Sequence, residues 1–358
     1  MTNLAHDSDV ADPAVEEPVL RRRRWPWIAG GVVAVVIAAG VLLTTVFQFG
    51  LPWWSDDNDR NHVFVSADGV RQHSQVHLPP QYDGSTKLPV MMAVHGCGMT
   101  GFGWNSMKAS TQFNALADRE GFIVVYPTQR PFENAINCWN SADPRNQIRG
   151  AGEPALLAGV AREVVMTYGA DPDRVHVSGA SSGAGTAVIL GVTYPDVFAS
   201  VTSVAGGEYG LNQVDPEQPE VTPPADTARQ AWAQMGDRAR PVPLLIVQGG
   251  RDQAVPPIVG ERLIEHWSAL HDLVDDGLLN DSLALAADTV VHDPAEGRYG
   301  YEETSFRTST GDALIEYIFA EDLAHAWPNP DGAGLFTDTA GPDATRIAWT
   351  FAQLHDRR

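Results

Sequence analysis

Arg174-Val175-His176-Val177-Ser178-Gly179-Ala180-Ser181-Ser182-Gly183-Ala184-Gly185 reads as a buried strand, a sharp turn and the start of a helix rich in small residues. The turn is Gly-x-Ser-x-Gly, with Ser181 at its centre. Its two glycines remove side chains where strand and helix crowd, so the central serine can hold a strained backbone and project its hydroxyl. The next N–H, that of Ser182, falls at a helix start, where it can stabilise an oxyanion. A Gly/Ser turn without chemistry is the plain alternative. The apolar strand before it and the helix after it favour a nucleophile elbow. Ser178 falls on the strand and Ser182 points into the helix, which leaves Ser181 as the expected nucleophile.

Outward from the elbow, apolar runs and helical patterns alternate. Residues 62–66 and 71–78 alternate in strand fashion about an Asp68-Gly69 turn signal. Residues 88–95 form a continuous apolar run, the expected central strand, and 121–126 a second buried strand. Helices are expected over 104–119, 153–168, the segment after Ser181, 256–270 and 342–355. Further strands are expected at 199–204, 243–248 and 313–319. Residues 208–226 are rich in Pro, Glu and Asp and read as a surface loop. Residues 272–311 read as irregular and acidic, with a strand or two. The alternation implies an α/β fold: a mainly parallel sheet with helices on both faces.

A serine hydroxyl needs a base to take its proton, and the base needs an orienting acid. In an α/β-hydrolase fold the chain order is Ser, then Asp or Glu, then His. Gln248-Gly249-Gly250-Arg251-Asp252 carries an apolar strand into a glycine turn, which makes Asp252 the expected acid over a merely capping aspartate. Asp322 and Asp338 are weaker candidates. His325, in Leu323-Ala324-His325-Ala326-Trp327-Pro328, follows the 313–319 strand and is the expected base. His176 lies inside a strand, His95 precedes the serine in the wrong order, and His266, His271, His292 and His355 read as structural or exposed. The second oxyanion donor is expected from His95-Gly96-Cys97-Gly98, at the end of the central strand, through the Cys97 N–H.

The N-terminal part has a different character. Residues 1–24 are polar and acidic and end in Arg21 to Arg24, a disordered, basic-ended tail. Trp25 to Phe49 carries no ionisable residue. At about 1.5 Å per residue it exceeds the ~30 Å hydrocarbon core of a bilayer. Trp25 and Trp27 flank one end, and Trp53 and Trp54 the other, as interface anchors do. Residues 25–49 are therefore expected to be a transmembrane signal anchor, with the arginines in the cytoplasm and the C-terminal domain outside. A cleaved signal peptide, including one of twin-arginine type, is the rival and would release a secreted protein. Residues 50–61 read as an acidic linker, and 62–358 as the catalytic domain.

The 358 residues, 44% hydrophobic and 19% charged, describe a globular chain. A net charge of −21 argues against a nucleic-acid partner. Cys97 and Cys138 are the two cysteines; an extracytoplasmic location favours their pairing, and two buried free thiols are the alternative. In the chain-entropy model such a bridge contributes roughly 4 kcal/mol. Two cysteines without clustered histidines make no zinc site, and no metal or organic cofactor is expected.

Taken together, residues 62–356 resemble the poly(3-hydroxybutyrate) depolymerase-type esterases, α/β-hydrolases close to the feruloyl and acetyl xylan esterases of carbohydrate esterase family 1. The resemblance rests on His95-Gly96-Cys97, Cys138-Trp139-Asn140, Arg149-Gly150-Ala151-Gly152-Glu153-Pro154, the elbow at Ser181, the turn at Asp252, His325-Ala326-Trp327 and Gly341-Pro342-Asp343-Ala344. It implies a Ser181–His325–Asp252 triad, oxyanion N–H groups from Cys97 and Ser182, and a Cys97–Cys138 disulfide. It implies a serine carboxylesterase acting on soluble or oligomeric hydroxyalkanoate esters, no polymer-binding module being read after the last helix. The alternatives are an acetyl or feruloyl esterase on polysaccharides, a serine peptidase on the same scaffold, and a non-enzymatic envelope protein. Two departures bear on the substrate: Ser141 stands where the family often has a second Trp, and Ala180, Ser182 and Ala184 replace the usual Leu, Ala and Gly of the elbow. Trp104, Trp139 and Trp327 are candidates to line the pocket, where they could stack on sugars, with core packing as the alternative.

Overall fold

The computed structural model describes residues 25–357, with residues 25–32 and 34 described by backbone alone. The expected tail, 1–24, lies outside the described residues. The chain divides into two compact units, Met1–Leu43 and Thr44–Arg358. Helix α1, Trp25–Phe49, runs through the described part of the first unit and ends inside the second. Val35, Val36, Ile37, Val41, Leu42 and Leu43 are exposed apolar side chains of the first unit. The helix is long and apolar enough to cross a bilayer.

The second unit begins at Thr44 rather than near His62. The last turn of α1 is part of its packing: Trp104 N–H donates to the Phe47 carbonyl at 2.9 Å, and Phe49 packs against His73 and Phe102. Residues 50–58 are no free linker, since Asp56 pairs with Lys108 and with Asn114, and the first strand starts at Asp59.

The core is a ten-stranded sheet in the order β1-β2-β4-β3-β5-β6-β7-β10-β9-β8. Its strands are β1 Asp59–Val65, β2 Arg71–His77, β3 Val90–Val94, β4 Ile123–Pro127, β5 Val175–Ala180, β6 Val201–Val204, β7 Leu244–Gly249, β8 Ala286–His292, β9 Tyr301–Arg307 and β10 Ala313–Ala320. The middle strands, β4, β3, β5, β6, β7 and β10, pair in parallel; β1 and β2 close one edge antiparallel, and β9 and β8 the other.

Helices cover both faces for the reason the apolar runs predict. Strand side chains alternate in direction. In β3, Val90, Met92 and Val94 enter one core with α4 (Gly152–Tyr168), α5 (Ser182–Thr193), α6 (Pro224–Met235) and α7 (Pro257–Asp276). Met91 and Ala93 enter the opposite core with α2 (Met107–Thr111), α3 (Phe113–Glu120) and α8 (Ala344–Gln353).

One expectation is corrected and one is made specific. The single helix over 104–119 is two, because Gln112 takes a left-handed backbone (φ 52°) and its side chain donates to the Ala109 carbonyl, closing α2 before α3 begins. Within residues 272–311, where a strand or two is expected, 272–276 complete α7, and β8 and β9 form an antiparallel hairpin. Its outer strand β8 is almost wholly exposed and so lacks the apolar alternation that marks a strand.

Candidate active site

The elbow is built as its sequence dictates. Ser181 sits between β5 and α5 at φ 54°, ψ −120°, a conformation that costs energy for a residue with a side chain. Its N–H donates to the Val204 carbonyl at 2.9 Å, which ties it to β6. A Cβ on Gly179 would lie 2.1 Å from the Gly183 carbonyl oxygen, and one on Gly183 would lie 2.3 Å from that of Val94. Neither position admits a larger residue, so helix and strand can cross this closely only through glycine.

Asp252 and His325 come from neighbouring strand ends. The loops after β7 and β10 are joined by the Gly250 N–H to the Ala320 carbonyl (2.9 Å) and the Arg251 N–H to the Leu323 carbonyl (3.0 Å). Asp252 is 3% exposed. One carboxylate oxygen accepts from the Ala254 and Val255 N–H groups at 2.9 and 2.8 Å; the other lies 2.7 Å from His325 Nδ1. That partner makes Nδ1 the protonated nitrogen and leaves Nε2 as the basic one. His325 is about a quarter exposed. With Ser181 it lines a cleft of about 270 Å³, together with Gly96, Cys97, Met99, Ala205, Trp327 and Phe336.

The oxyanion candidates flank the same cleft. Ser182 opens α5, and the Gly96–Cys97 turn abuts the elbow so closely that a Cβ on Gly96 would lie 3.3 Å from the Ser181 Cβ. The Cys97–Cys138 disulfide is present. His95 is structural: Nδ1 donates to the Gly96 carbonyl at 2.8 Å and Nε2 accepts from the Gln129 N–H at 2.9 Å, while burial pushes its pKa down to about 4.

Three residues whose roles sequence reasoning missed hold this wall in place. Gln129 donates to the Cys138 carbonyl and to Glu153 at 2.9 and 2.6 Å. Glu153, buried at the start of α4, accepts from the Asn140 backbone and side chain at 2.8 and 2.7 Å. Desolvation raises its pKa against these hydrogen bonds. Phe336, from the loop after His325, forms the far side of the cleft. Glu153 belongs to the Arg149–Pro154 run already singled out, but its bonds to Gln129 and Asn140 are visible only in the fold. The Ser182 hydroxyl, a departure from the usual elbow, accepts from the Trp139 N–H at 3.3 Å.

The tryptophans divide. Trp327 lines the cleft, with its indole N–H on Thr345 Oγ1 at 3.0 Å. Trp139 is buried in the main core beside His95 rather than set as a pocket wall. Trp104 packs on Phe47, with ring centroids 5.8 Å apart, and is not among the residues lining the cleft. Of the two readings left open for these rings, core packing holds for Trp139, while Trp104 stays 46% exposed beside Phe47.

Residues 73–275 match the family described as esterase PHB depolymerase. The chain belongs to this family. A poly(3-hydroxyalkanoate) depolymerase C of Paucimonas lemoignei is 27% identical over 256 residues, 69% of this chain and 56% of the relative. A feruloyl esterase B of Neurospora crassa is 36% identical over 123 residues, 34% of this chain and 40% of the relative. The matched stretches thus span about half the length of these two relatives. The solved acetyl xylan esterase from Aspergillus awamori superposes with a TM-score of 0.58 at 24% identity, covering 71% of this chain and 89% of that one, and shows the fold. Within this esterase PHB depolymerase family match lie Ser181, Asp252 and both cysteines. His325 lies beyond its end, and the structure brings it back to Asp252.

Proposed function

We propose that this chain is a serine carboxylesterase. Ser181 attacks the ester carbonyl while His325 Nε2 takes its proton. Asp252 holds the imidazole in the required tautomer and steadies the imidazolium. The Cys97 and Ser182 N–H groups receive the oxyanion, each worth about 3 kcal/mol in the transition state. His325 then protonates the leaving alcohol, and water, activated by the same imidazole, releases the acid. The observation that carries this reading is the 2.7 Å contact from Asp252 to His325 Nδ1, at the rim of the cleft that Ser181 lines.

The substrate reading is soluble or oligomeric hydroxyalkanoate esters. Trp139 is buried in the core, and neither it nor the half-exposed Trp104 lines the Ser181 cleft, whose one tryptophan among the described residues is Trp327. This favours an aliphatic ester over an acetyl or feruloyl group on a polysaccharide. We further propose that α1 anchors the protein, with residues 44–358 on the outer side of the membrane, where an oxidising environment keeps Cys97 and Cys138 paired. The full chain should stay with the membrane after a high-salt wash; recovery in the soluble fraction would overturn the anchor.

The enzymatic reading is tested with Ser181→Ala in the full chain. Turnover of p-nitrophenyl butyrate should fall to background, labelling by a fluorophosphonate should vanish, and the melting temperature should stay within a few degrees. Undiminished turnover would remove the mechanism.

A further inference from the structure

Ser181 stands between two clefts, not one. Beside the cleft that holds His325 lies a larger one of about 440 Å³, and the two share Ser181, Ala205 and Ala254. Its size falls in the range that buries most of a small organic ligand. Its floor is the start of α5 and α7, and its outer wall is the loop that leaves β6, including Leu211, Val214, Pro216 and Pro219.

Arg262 holds that wall. It is 6% exposed and spends its donors inward: Nε and Nη2 on the two Glu208 carboxylate oxygens at 3.0 and 2.8 Å, Nη1 on the Pro219 carbonyl at 2.6 Å, and Nη2 on the Thr222 carbonyl at 2.8 Å. Glu208 also accepts from Thr227 Oγ1 at 2.9 Å. Arg262, the one ionisable residue in the lining, is therefore neutralised and cannot greet an anion. The remaining surface is mostly apolar. A charged group entering it would lose hydration without gaining a partner.

The two clefts also differ in what the chemistry requires of them. The residue that protonates the leaving alcohol must reach its oxygen, and His325 lines only the smaller cleft. We infer that the larger cleft receives the acyl limb of the ester, an uncharged aliphatic chain, and that the Arg262–Glu208 clasp sets its shape. This rests on Ser181 being the nucleophile and goes further by assigning the two sides of the scissile bond.

The test uses the full chain and two substrate series: p-nitrophenyl esters from acetate to octanoate, and straight-chain alkyl acetates from methyl to hexyl. In the wild type kcat/KM should climb about fourfold per buried acyl methylene, the transfer value for a CH₂ group. Val214→Asp, at a partly exposed wall position, should lower the octanoate-to-acetate ratio at least tenfold and leave the slope of the alcohol series unchanged. A flat acyl series in the wild type would overturn the assignment. So would an unaltered octanoate-to-acetate ratio in Val214→Asp, or a change confined to the alcohol series. Fluorophosphonate labelling separates this from the underlying reading. A wild type that labels at Ser181 but shows no acyl slope refutes the acyl assignment alone, and a wild type that does not label refutes the nucleophile.

Discussion

Among the described histidines that carboxylates hold, His325 and His77 differ in what their second nitrogen is left to do. His325 has Nδ1 on Asp252 at 2.7 Å and sits at a cleft beside Ser181. His77, at the end of β2, has both nitrogens taken: Nδ1 on Asp59 and Nε2 on Asp118, each at 2.9 Å. Asp59 is also bonded by Lys108, and Lys108 reaches Asp56 at 3.1 Å. This second cluster joins β1, β2, α2 and α3 at the antiparallel edge of the sheet. Pairing with a carboxylate is thus common to the His77 brace and to the base proposed at His325. What separates them is whether the second nitrogen is left for a nucleophile. Asp56 and Asp59 would also suit a cation, but the Lys108 ammonium already stands between them and both His77 nitrogens are engaged.

The largest effect that would break this contrast is on turnover. His325→Ala should lower kcat on p-nitrophenyl butyrate by on the order of 10⁴-fold or more, with little change in the denaturation midpoint. His77→Ala should do the reverse. It leaves the buried Asp59 carboxylate with one of its partners gone and should cost roughly 3 kcal/mol, read from the urea midpoint, with kcat within a factor of two. If His77→Ala abolished turnover without loss of stability, the distinction between brace and base would fail.

A smaller effect follows from pH. Burial disfavours protonated His77, but the bonds to Asp59 and Asp118 outweigh it and its pKa is raised above 6.5. Burial also opposes the Asp59 charge, yet His77 and Lys108 hold its pKa below 3.8. The His77 contribution is therefore complete below pH 6.5 and is lost as pH rises through the raised value. The Asp59 contribution is complete above 3.8 and is lost as pH falls through the lowered one. The stability difference between wild type and His77→Gln should be greatest between these limits and shrink on the alkaline side. A difference that grew with pH would show that the imidazole is held neutral.

The two histidines were not equally legible. Three local signals found the candidate site: Gly-x-Ser-x-Gly, an aspartate in a glycine turn after an apolar strand, and a histidine in the loop after the last strand. Each reflects a constraint felt within a few residues, such as the 2.1 Å approach that Gly179 must permit. The buried strands were legible for a related reason, since β3 and β4 are covered on both faces and read as unbroken apolar runs. His77 offered nothing, because its partners lie 18 and 41 residues away. The Arg262–Glu208 clasp spans 54 residues and was equally silent. Trp139 and Trp104 stayed open in the sequence because an aromatic ring in a loop fits a pocket, a core or the surface alike, and only the fold places Trp139 in the core and leaves Trp104 half exposed. The helix break at Gln112 escaped because no glycine or proline marks it.

A third position sharpens the contrast by lying between its extremes. Gln48, in the last turn of α1, is buried and joined to two loops of the second unit: its Nε2 donates to Asn137 Oδ1 at 2.8 Å, and its Oε1 accepts from Thr128 Oγ1 at 3.0 Å. Asn137 in turn donates to the Met99 carbonyl at 2.8 Å, precedes the half-cystine Cys138, and so braces a residue that lines the Ser181 cleft. Gln48→Ala strands two buried polar groups, at roughly 1–3 kcal/mol each before water re-enters. Unlike His77→Ala it should also disturb the cleft, raising KM for p-nitrophenyl butyrate a few-fold with kcat nearly kept. A double-mutant cycle with Asn137→Ala should give a coupling of about 1 kcal/mol. Zero coupling with an unchanged KM would mean that the end of the helix is a passive tether. The measured coupling would mean that the turn on which the helix ends is a working part of the active-site wall, and that proteolytic removal of the helix through Phe49 would weaken substrate binding as well as release the domain.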